Sequence, residues 1–473
     1  MIKKGFPVVH FYDQDFVDLY DRTWAWIQDF WNKGTPENGL QSRFFNHPDN
    51  KRINQFEACL STFFLVYSNR IFPAVPSLDN FYDKQEPSGA IRGEYSEIDG
   101  SPILTPENPE GAAPPLFAWA EYNLYHKVGN KKRLKDIMPV LEKHFSWMEK
   151  TFRQENGLYS VPYAALQMPN SPREKAFYPV DFNCQVAINA LYMSEIGDIL
   201  NDKELSFRYK RAYFSLKTRI SSLMWDEEIG LYLDLDKNEQ RLPVKTIASF
   251  WPLLAEIPNE ARATALIDHL KNPGTFGIEN PFPTLAADEP LFSEKGLGCR
   301  GSVYPSFNFI VIKGLEKYAQ YELARECAIR HLYFMLDTLH PEGKKGDIYE
   351  AYKPLKDGPA EWPDHPEFPR PLYLPFAALA SVALMIENII GLYISLPRKT
   401  VDWLMPSLEI MGIEDLSLKR NMITILSNKS GRGWEIRLES EKLYYFTINI
   451  LGEKKKKTLP IPSGKCSMLI DKL

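Results

Sequence analysis

Two short segments hold residue types able to do chemistry. Gly298-Cys299-Arg300-Gly301-Ser302-Val303-Tyr304-Pro305, running on to Asn308, is a glycine-rich loop that delivers a guanidinium, an aromatic ring and an amide to the mouth of an apolar helix. Tyr349-Glu350-Ala351-Tyr352-Lys353-Pro354 sets one carboxylate between two tyrosines and ends in proline. A guanidinium donates through a planar fork, an amide donates and accepts, and an aromatic face covers apolar surface. A sugar presents hydroxyls and a ring that need all three. A lone carboxylate among them is a candidate acid or base, so the two segments together read as a glycosidase site. Glu350 taken alone reads as a surface glutamate after the turn Gly343-Lys344-Lys345-Gly346-Asp347.

The elements around these segments are helical up to about residue 396. Apolar spacing predicts helices over 15–30, 55–67, 117–128, 134–152, 180–200, 206–225, 246–255, 261–270, 306–318, 322–336 and 372–394. Most come in pairs joined by a short turn such as Gly129-Asn130. Long irregular segments fall at alternate connections, over 71–115, 156–179, 226–245, 272–303 and 338–371. Short turns on one end and long loops on the other predict a toroid of paired helices with its active site under the long loops. Beyond Pro397 the texture changes. Segments 422–426, 433–438, 443–450 and 468–470 are short, rich in β-formers and separated by turn residues. The expected division is a barrel domain over 1–396 and a small antiparallel β domain over 397–473 that packs on it.

Bulk properties narrow the function class. The 473 residues carry a net charge of -5, which points away from a nucleic-acid partner. The basic run Lys454–Lys457 is expected at a solvated hairpin tip. Five scattered cysteines without CxxC spacing fit buried thiols in a reducing compartment, and the eight histidines form no ligand pattern for a metal. Lys3 and Lys4 are not followed by the apolar run of a signal peptide. Residues 374–392 come nearest to a membrane span, but Ser381 and Glu387 interrupt them. The expectation is a cytoplasmic protein with no membrane contact and no cofactor, of open oligomeric state, acting on a small carbohydrate.

Several segments, in order, resemble motifs of the (α/α)6-barrel glycoside hydrolases that include trehalase, processing α-glucosidase I and mannosylglycerate hydrolase. Arg300-Gly301-Ser302-Val303-Tyr304-Pro305 with Asn308 resembles that group's Arg-Gly-Pro-x-Trp-x-x-x-Asn, and Tyr349-Glu350-Ala351-Tyr352-Lys353-Pro354 its Tyr-x-Glu-x-Tyr-Asn-Pro. Gly89-Ala90-Ile91-Arg92-Gly93-Glu94, the Pro114-Pro115 to Trp119 stretch and Val180-Asp181-Phe182-Asn183 resemble further segments of the group. The resemblance covers roughly residues 50 to 390. It implies a mainly α fold, an (α/α)6 toroid, and inverting hydrolysis of a small α-linked glucoside or mannoside, with Glu350 as the base that activates water.

Two departures matter. The group's Gly-Met-Asp-Asn-Ser-Pro-Arg, whose Asp is the general acid, reads Gln167-Met168-Pro169-Asn170-Ser171-Pro172-Arg173 here, and Pro169 has no proton to give. Gln55-Phe56-Glu57-Ala58 stands where the group has Trp-Asp-Ser or Trp-Asp-Thr, which keeps a carboxylate and lengthens it.

An inverting pair needs two carboxylates roughly 6.5–9.5 Å apart. The acid is open among Glu57, which opens an apolar helix, then Asp181, which also suits a helix cap, then Glu94 beside Arg92. Arg173 and Arg300 are substrate clamps or structural ion pairs. Phe56, Trp251, Tyr304 and Tyr352 are stacking candidates, although core packing is the commoner use of any one ring. Asn170 and Asn308 suit sugar hydroxyls or local caps. Arg92 and Glu94 join the binding candidates through their motif. Two other functions stay open: a sugar-binding protein without turnover, motivated by Pro169, and a sugar epimerase or isomerase. The latter chemistry relies on histidine pairs, and His126, His144, His269 and His331 lie outside the motif loops, leaving His340 and His365.

Overall fold

Helix boundaries follow local signals. The helix Phe117–Val128 (α4) stops at Gly129, whose φ of 72° is left-handed, and Asn130 then caps Lys131–Phe152 (α5) by accepting from the Arg133 amide. Val180–Leu200 (α6) ends on left-handed Asn201, and Asp202 caps Lys203–Arg219 (α7). Three further helices, Trp251–Leu254 (α8), Pro305–Lys317 (α10) and Leu374–Ala378 (α12), carry proline in the first turn, where its missing N–H is not needed. Gln14–Ile27 (α1), Gln55–Leu65 (α2), Val75–Tyr82 (α3), Glu260–Lys271 (α9) and Tyr321–Leu339 (α11) complete the set. These descriptions come from a computed structural model that describes residues 6–340, 346–405, 409–418, 421–431, 433–442, 444–450, 453–461 and 464–470.

The even-numbered helices form a closed inner ring. α2 packs on α4, α4 on α6, α6 on α8, α8 on α10, α10 on the π-helical continuation Leu379–Ile389 of α12, and that segment on α2. Every residue of α2 and of Leu379–Ile389 is buried, as a helix surrounded on all sides must be. The odd-numbered helices lie outside. The molecule is thus an (α/α)6 toroid, and the long loops precede the N-termini of inner helices, on one face. α3, inside the segment expected to be irregular, completes the six pairs. No helix among the described residues is long and apolar enough to cross a membrane.

The β part has two sheets. One is ordered Val8–His10, Met411–Leu418, Asn421–Ser430, Gly433–Ser440, Gly464–Ile470, antiparallel throughout, so the N-terminal segment supplies its edge strand. The other is ordered Glu453–Ile461, Tyr444–Ile450, Thr400–Met405, Leu392–Ser395. Thr400–Met405 alternates Val401, Trp403 and Met405 inward. Its pairing with Tyr444–Ile450 is parallel, which a crossover through the first sheet allows. Two details differ from expectation. Leu392–Ser395 is strand rather than the end of a helix, because Gly391 at φ 88° breaks the turn before it. Lys454–Lys457 lie within a paired strand rather than at a tip.

Candidate active site

Immediately before α2, Arg52–Asn54 forms a short antiparallel ribbon with Glu94–Ser96 in which Asn54 faces Glu94. Asn54 then caps α2. Its side-chain oxygen accepts from the amides of Phe56 at 2.9 Å and Glu57 at 3.2 Å, while its Nδ2 donates to Glu94 Oε1 at 2.8 Å. Arg52 Nη1 lies 3.3 Å from the other Glu94 oxygen. One cap thereby sets the position of two carboxylates.

Glu57 points from the first turn of α2 toward the loop that carries Glu350. Arg370 joins the two. It grips Glu350 through Nε and Nη2, each at 2.8 Å, and its Nη2 lies 3.7 Å from Glu57 Oε1. An inverting pair stands roughly 6.5–9.5 Å apart; contacts of 2.8 and 3.7 Å to one nitrogen put the facing oxygens at the lower edge of that range or below it. The guanidinium stacks 3.6 Å over the Tyr373 ring, whose hydroxyl donates to Glu57 Oε1. Glu57 Oε2 is buried with no hydrogen-bond partner among the described residues. Burial pushes the Glu57 carboxyl above its ordinary range, against the opposing pull of Arg370 and Tyr373. His47 stacks on Tyr373 at 5.5 Å, and burial lowers its pKa.

The glycine-rich loop zips onto the segment that holds Pro169. Cys299 donates its amide to the Pro169 carbonyl at 2.9 Å, Asn170 Nδ2 donates to Leu297 O at 2.7 Å, and Arg300 Nε donates to Asn170 O at 3.1 Å. Gly298 sits at φ 68° with its missing Cβ directed 2.9 Å from the Trp362 ring, so this close approach requires glycine. Beside it opens a cavity of about 460 Å³ lined by Arg52, Glu94, Asn108, Gln167, Pro169 and Asn170.

The structure therefore brings Glu57 and Glu350 together, sets Glu94 and Asn170 in the wall of the cavity, and ties Arg300 to the Asn170 backbone behind that wall. The other candidates are placed elsewhere. Asp181 is locked with Arg173, which donates to both of its oxygens at 2.7 Å and also grips Asp234; all three are buried. Arg92 is held by Glu86 and Glu110. Phe56, Trp251, Tyr304 and Tyr352 are buried among side chains, with Tyr304 against Phe307, Phe368 and Phe376. Asn308 is buried in α10 and donates to Pro281 O at 3.0 Å. The four described cysteines are buried free thiols, and burial pushes Cys299 up to about 12, which leaves it unreactive. Among the described residues no three His, Cys, Asp or Glu side chains converge as metal ligands.

Residues 82–367 match the family described as mannosylglycerate hydrolase MGH1-like glycoside hydrolase domain. The chain belongs to that family. Residues 391–473 match the trehalase C-terminal domain. A Borreliella burgdorferi protein described as uncharacterized is 53% identical over 476 residues, the whole of both chains. The GH63 mannosylglycerate hydrolase of Thermus thermophilus, solved in complex with glucose, superposes with a TM-score of 0.60 at 19% identity, over 78% of this chain and 98% of that one. A sialidase structure reaches 0.71 at 15% identity over 91% of this chain, which spans 40% of the sialidase's length. At such identities these likenesses speak for the fold.

In this MGH1-like glycoside hydrolase member, sequence reasoning missed Arg370, Tyr373, His47 and the cap Asn54. Arg370 sits between Pro369 and Pro371 just ahead of α12, at the face where the inner helices begin. A cation wedged between prolines beside an inner helix was the available signal. Asn54 ahead of an apolar helix was legible as a cap, but its second bond to Glu94 joins residues 40 apart.

Proposed function

We propose that the protein hydrolyses a small α-linked glucoside or mannoside at the loop face, with Glu57 as proton donor and Glu350 as the base that activates water. The observation that carries this reading is the meeting of Glu57 and Glu350 at Arg370 Nη2, with Glu57 the partner whose pKa burial raises. A carboxyl group whose surroundings favour its protonated form suits the work of a general acid. Glu57 Oε2 is buried and has no partner among the described residues, and it is the oxygen assigned to carry the proton, reached by the leaving oxygen when substrate displaces the groups that cover it. Tyr373 and Arg370 orient the two carboxyl groups. Glu94 and Asn170 hold substrate hydroxyls along the wall, with Arg300 behind Asn170, and no cofactor enters. Inversion is the outcome that the family resemblance implies. The reading assigns the chemistry to residues 1–396, leaves 397–473 as a packing domain, and places the protein in the cytoplasm on its buried free thiols.

The test is hydrolysis of a panel of α- and β-linked disaccharides and glycosyl glycerates by wild type, Glu57→Gln and Glu350→Gln, with the product anomer read by NMR. Turnover by wild type, lost in both variants, with an inverted anomer is expected. Undiminished turnover in either variant removes that residue from its role.

A second reading, sugar binding without turnover, draws on two observations. Pro169 stands at the acid position of the resembling motif, and both oxygens of Glu350 are held by Arg370. It predicts calorimetric sugar binding with no product across the panel.

A further inference from the structure

A second cavity, of about 220 Å³, opens at the opposite end of the barrel. It lies mainly between the C-terminal halves of the inner helices, with Trp119 of the first turn of α4 reaching its floor, and its wall also includes Tyr122, Asn123, Lys127, Lys313 and Glu387. A water molecule takes a share of roughly 30 Å³ in the liquid, so the space suits a ring-sized ligand. Pro305 at the loop face and Lys313 in this wall lie on one helix, ~12 Å apart along its axis. The cavity is thus separate from Glu57 and Glu350.

The wall is an ordered polar network. Buried Glu387 receives Lys127 at 3.0 Å, Lys313 at 2.7 Å and the Tyr67 hydroxyl. Lys313 also reaches Glu316 at 2.8 Å and Asn388 at 2.9 Å, and the Tyr393 hydroxyl donates to Glu316 at 2.9 Å. Lys317 is paired with Glu256 at 2.6 Å. Burial pushes the Glu387 carboxyl up, but Lys127 and Lys313 override it and hold it at about 2. Burial holds His126 down to about 4, so its ring is neutral.

Every lysine in the wall already has a carboxylate, so a charged ligand would have to break a buried pair, which is unfavourable. What the wall offers instead is unused hydrogen bonding. Asn123 lines the cavity, and its Nδ2 is covered yet without a partner among the described residues, so a small side-chain rotation would pair it with a ligand hydroxyl. Lys127 places two of its three N–H groups, on Tyr67 and Glu387. Trp119, Tyr122 and Tyr192 supply apolar ring faces. Donors beside aromatic faces, with all full charges matched, fit a neutral ring bearing hydroxyls.

We infer that this cavity is a second binding site, for a neutral polyhydroxylated ligand of monosaccharide size. The inference stands apart from hydrolysis at the loop face. The test is a titration of the full chain, labelled with 5-fluorotryptophan, with glucose, mannose and glycerol, followed by 19F NMR. The Trp119 resonance is assigned by its loss in Trp119→Phe. A saturable shift of that resonance is expected with at least one sugar, equally in wild type and in Glu350→Gln. Asn123→Leu is expected to weaken it roughly tenfold or more. Asn123→Ala, which removes the donor without adding a charge, is expected to weaken it too, and the remaining tryptophan signals report whether each variant is folded. A Trp119 signal unmoved by all three ligands overturns the inference. So does a shift abolished by Glu350→Gln, which would belong to the loop face. A Trp119 shift without hydrolysis of any glycoside supports this site and rejects the catalytic reading alone.

Discussion

Arg370 holds Glu350 through two parallel bonds, Nε to Oε2 and Nη2 to Oε1, each at 2.8 Å. A bidentate pair fixes the orientation of a carboxylate as well as its charge. Because the same guanidinium also faces Glu57 and lies over Tyr373, one side chain organises both candidate catalytic carboxyl groups.

Arg370→Met removes the cation and leaves two poorly solvated carboxyl groups facing each other. The expected loss of stability at neutral pH is ~3 kcal/mol. It should shrink as pH falls and Glu57, whose carboxyl burial pushes up, takes up its proton. Urea midpoints across pH read this directly, and a variant as stable as wild type at neutral pH would show that the pair does not hold the site.

Glu57 has a pH signature of its own. Burial raises its folded pKa above the ordinary 4.5, so folding favours the protonated form. That contribution is whole below the unfolded value and is lost as pH rises through the folded one. Glu57→Gln cannot ionise and should gain stability relative to wild type as pH climbs from about 4.5. Hydrolysis by wild type should fall as pH rises through the raised folded value, since the donor must carry its proton. Parallel stability curves for the two proteins would remove the raised pKa and with it the acid.

Asp181 separates structural from catalytic use of a carboxylate. Arg173 is fully enclosed and grips Asp181 and Asp234 at once. Arg173→Met strands both and should destabilise the fold by roughly 3–5 kcal/mol. Adding Asp181→Asn and Asp234→Asn to it should recover part of that loss. Asp181→Asn alone should lower the melting temperature while leaving the pH profile of hydrolysis in place. A changed profile would return Asp181 to the acid candidates.

What the sequence made legible follows from which signals are local. Helical spacing, Gly129-Asn130 and Asp202 mark the long helices because period and caps are written within a few residues. Val75–Tyr82 escaped because eight residues opening on Pro76 show little period inside a long irregular stretch. The edge strand Val8–His10 and the parallel pairing of Thr400–Met405 escaped because both join residues far apart in the chain. The site divides in the same way. Glu350 and Glu57 stood out by their motifs, but what relates them is Arg370, and a loop arginine shows no partner until the chain is folded. The four stacking candidates are all buried, three of them in the first turns of inner helices or just before one, where packing takes the ring.

Pro169 supplies the sharpest test of which group donates the proton. Its carbonyl is held by the Cys299 amide and its ring lines the cavity beside Glu94 and Asn170, so an aspartate there would face the same space. If Glu57 is the donor, Pro169→Asp adds a carboxylate that the reaction does not need. Turnover should then change by less than about tenfold, because a positioned general acid is worth 10²–10⁴-fold only where one is lacking. The substitution restores an N–H at 169, which solvent in the cavity can satisfy, so folding should persist. Rates for Pro169→Asp in the wild-type and Glu57→Gln backgrounds decide the matter. An increase of about a hundredfold or more over wild type would mean that the natural chain lacks its acid, and would move the assignment from hydrolysis to sugar binding. Rescue confined to the Glu57→Gln background would show instead that the two carboxyl groups can serve the same leaving oxygen from different walls.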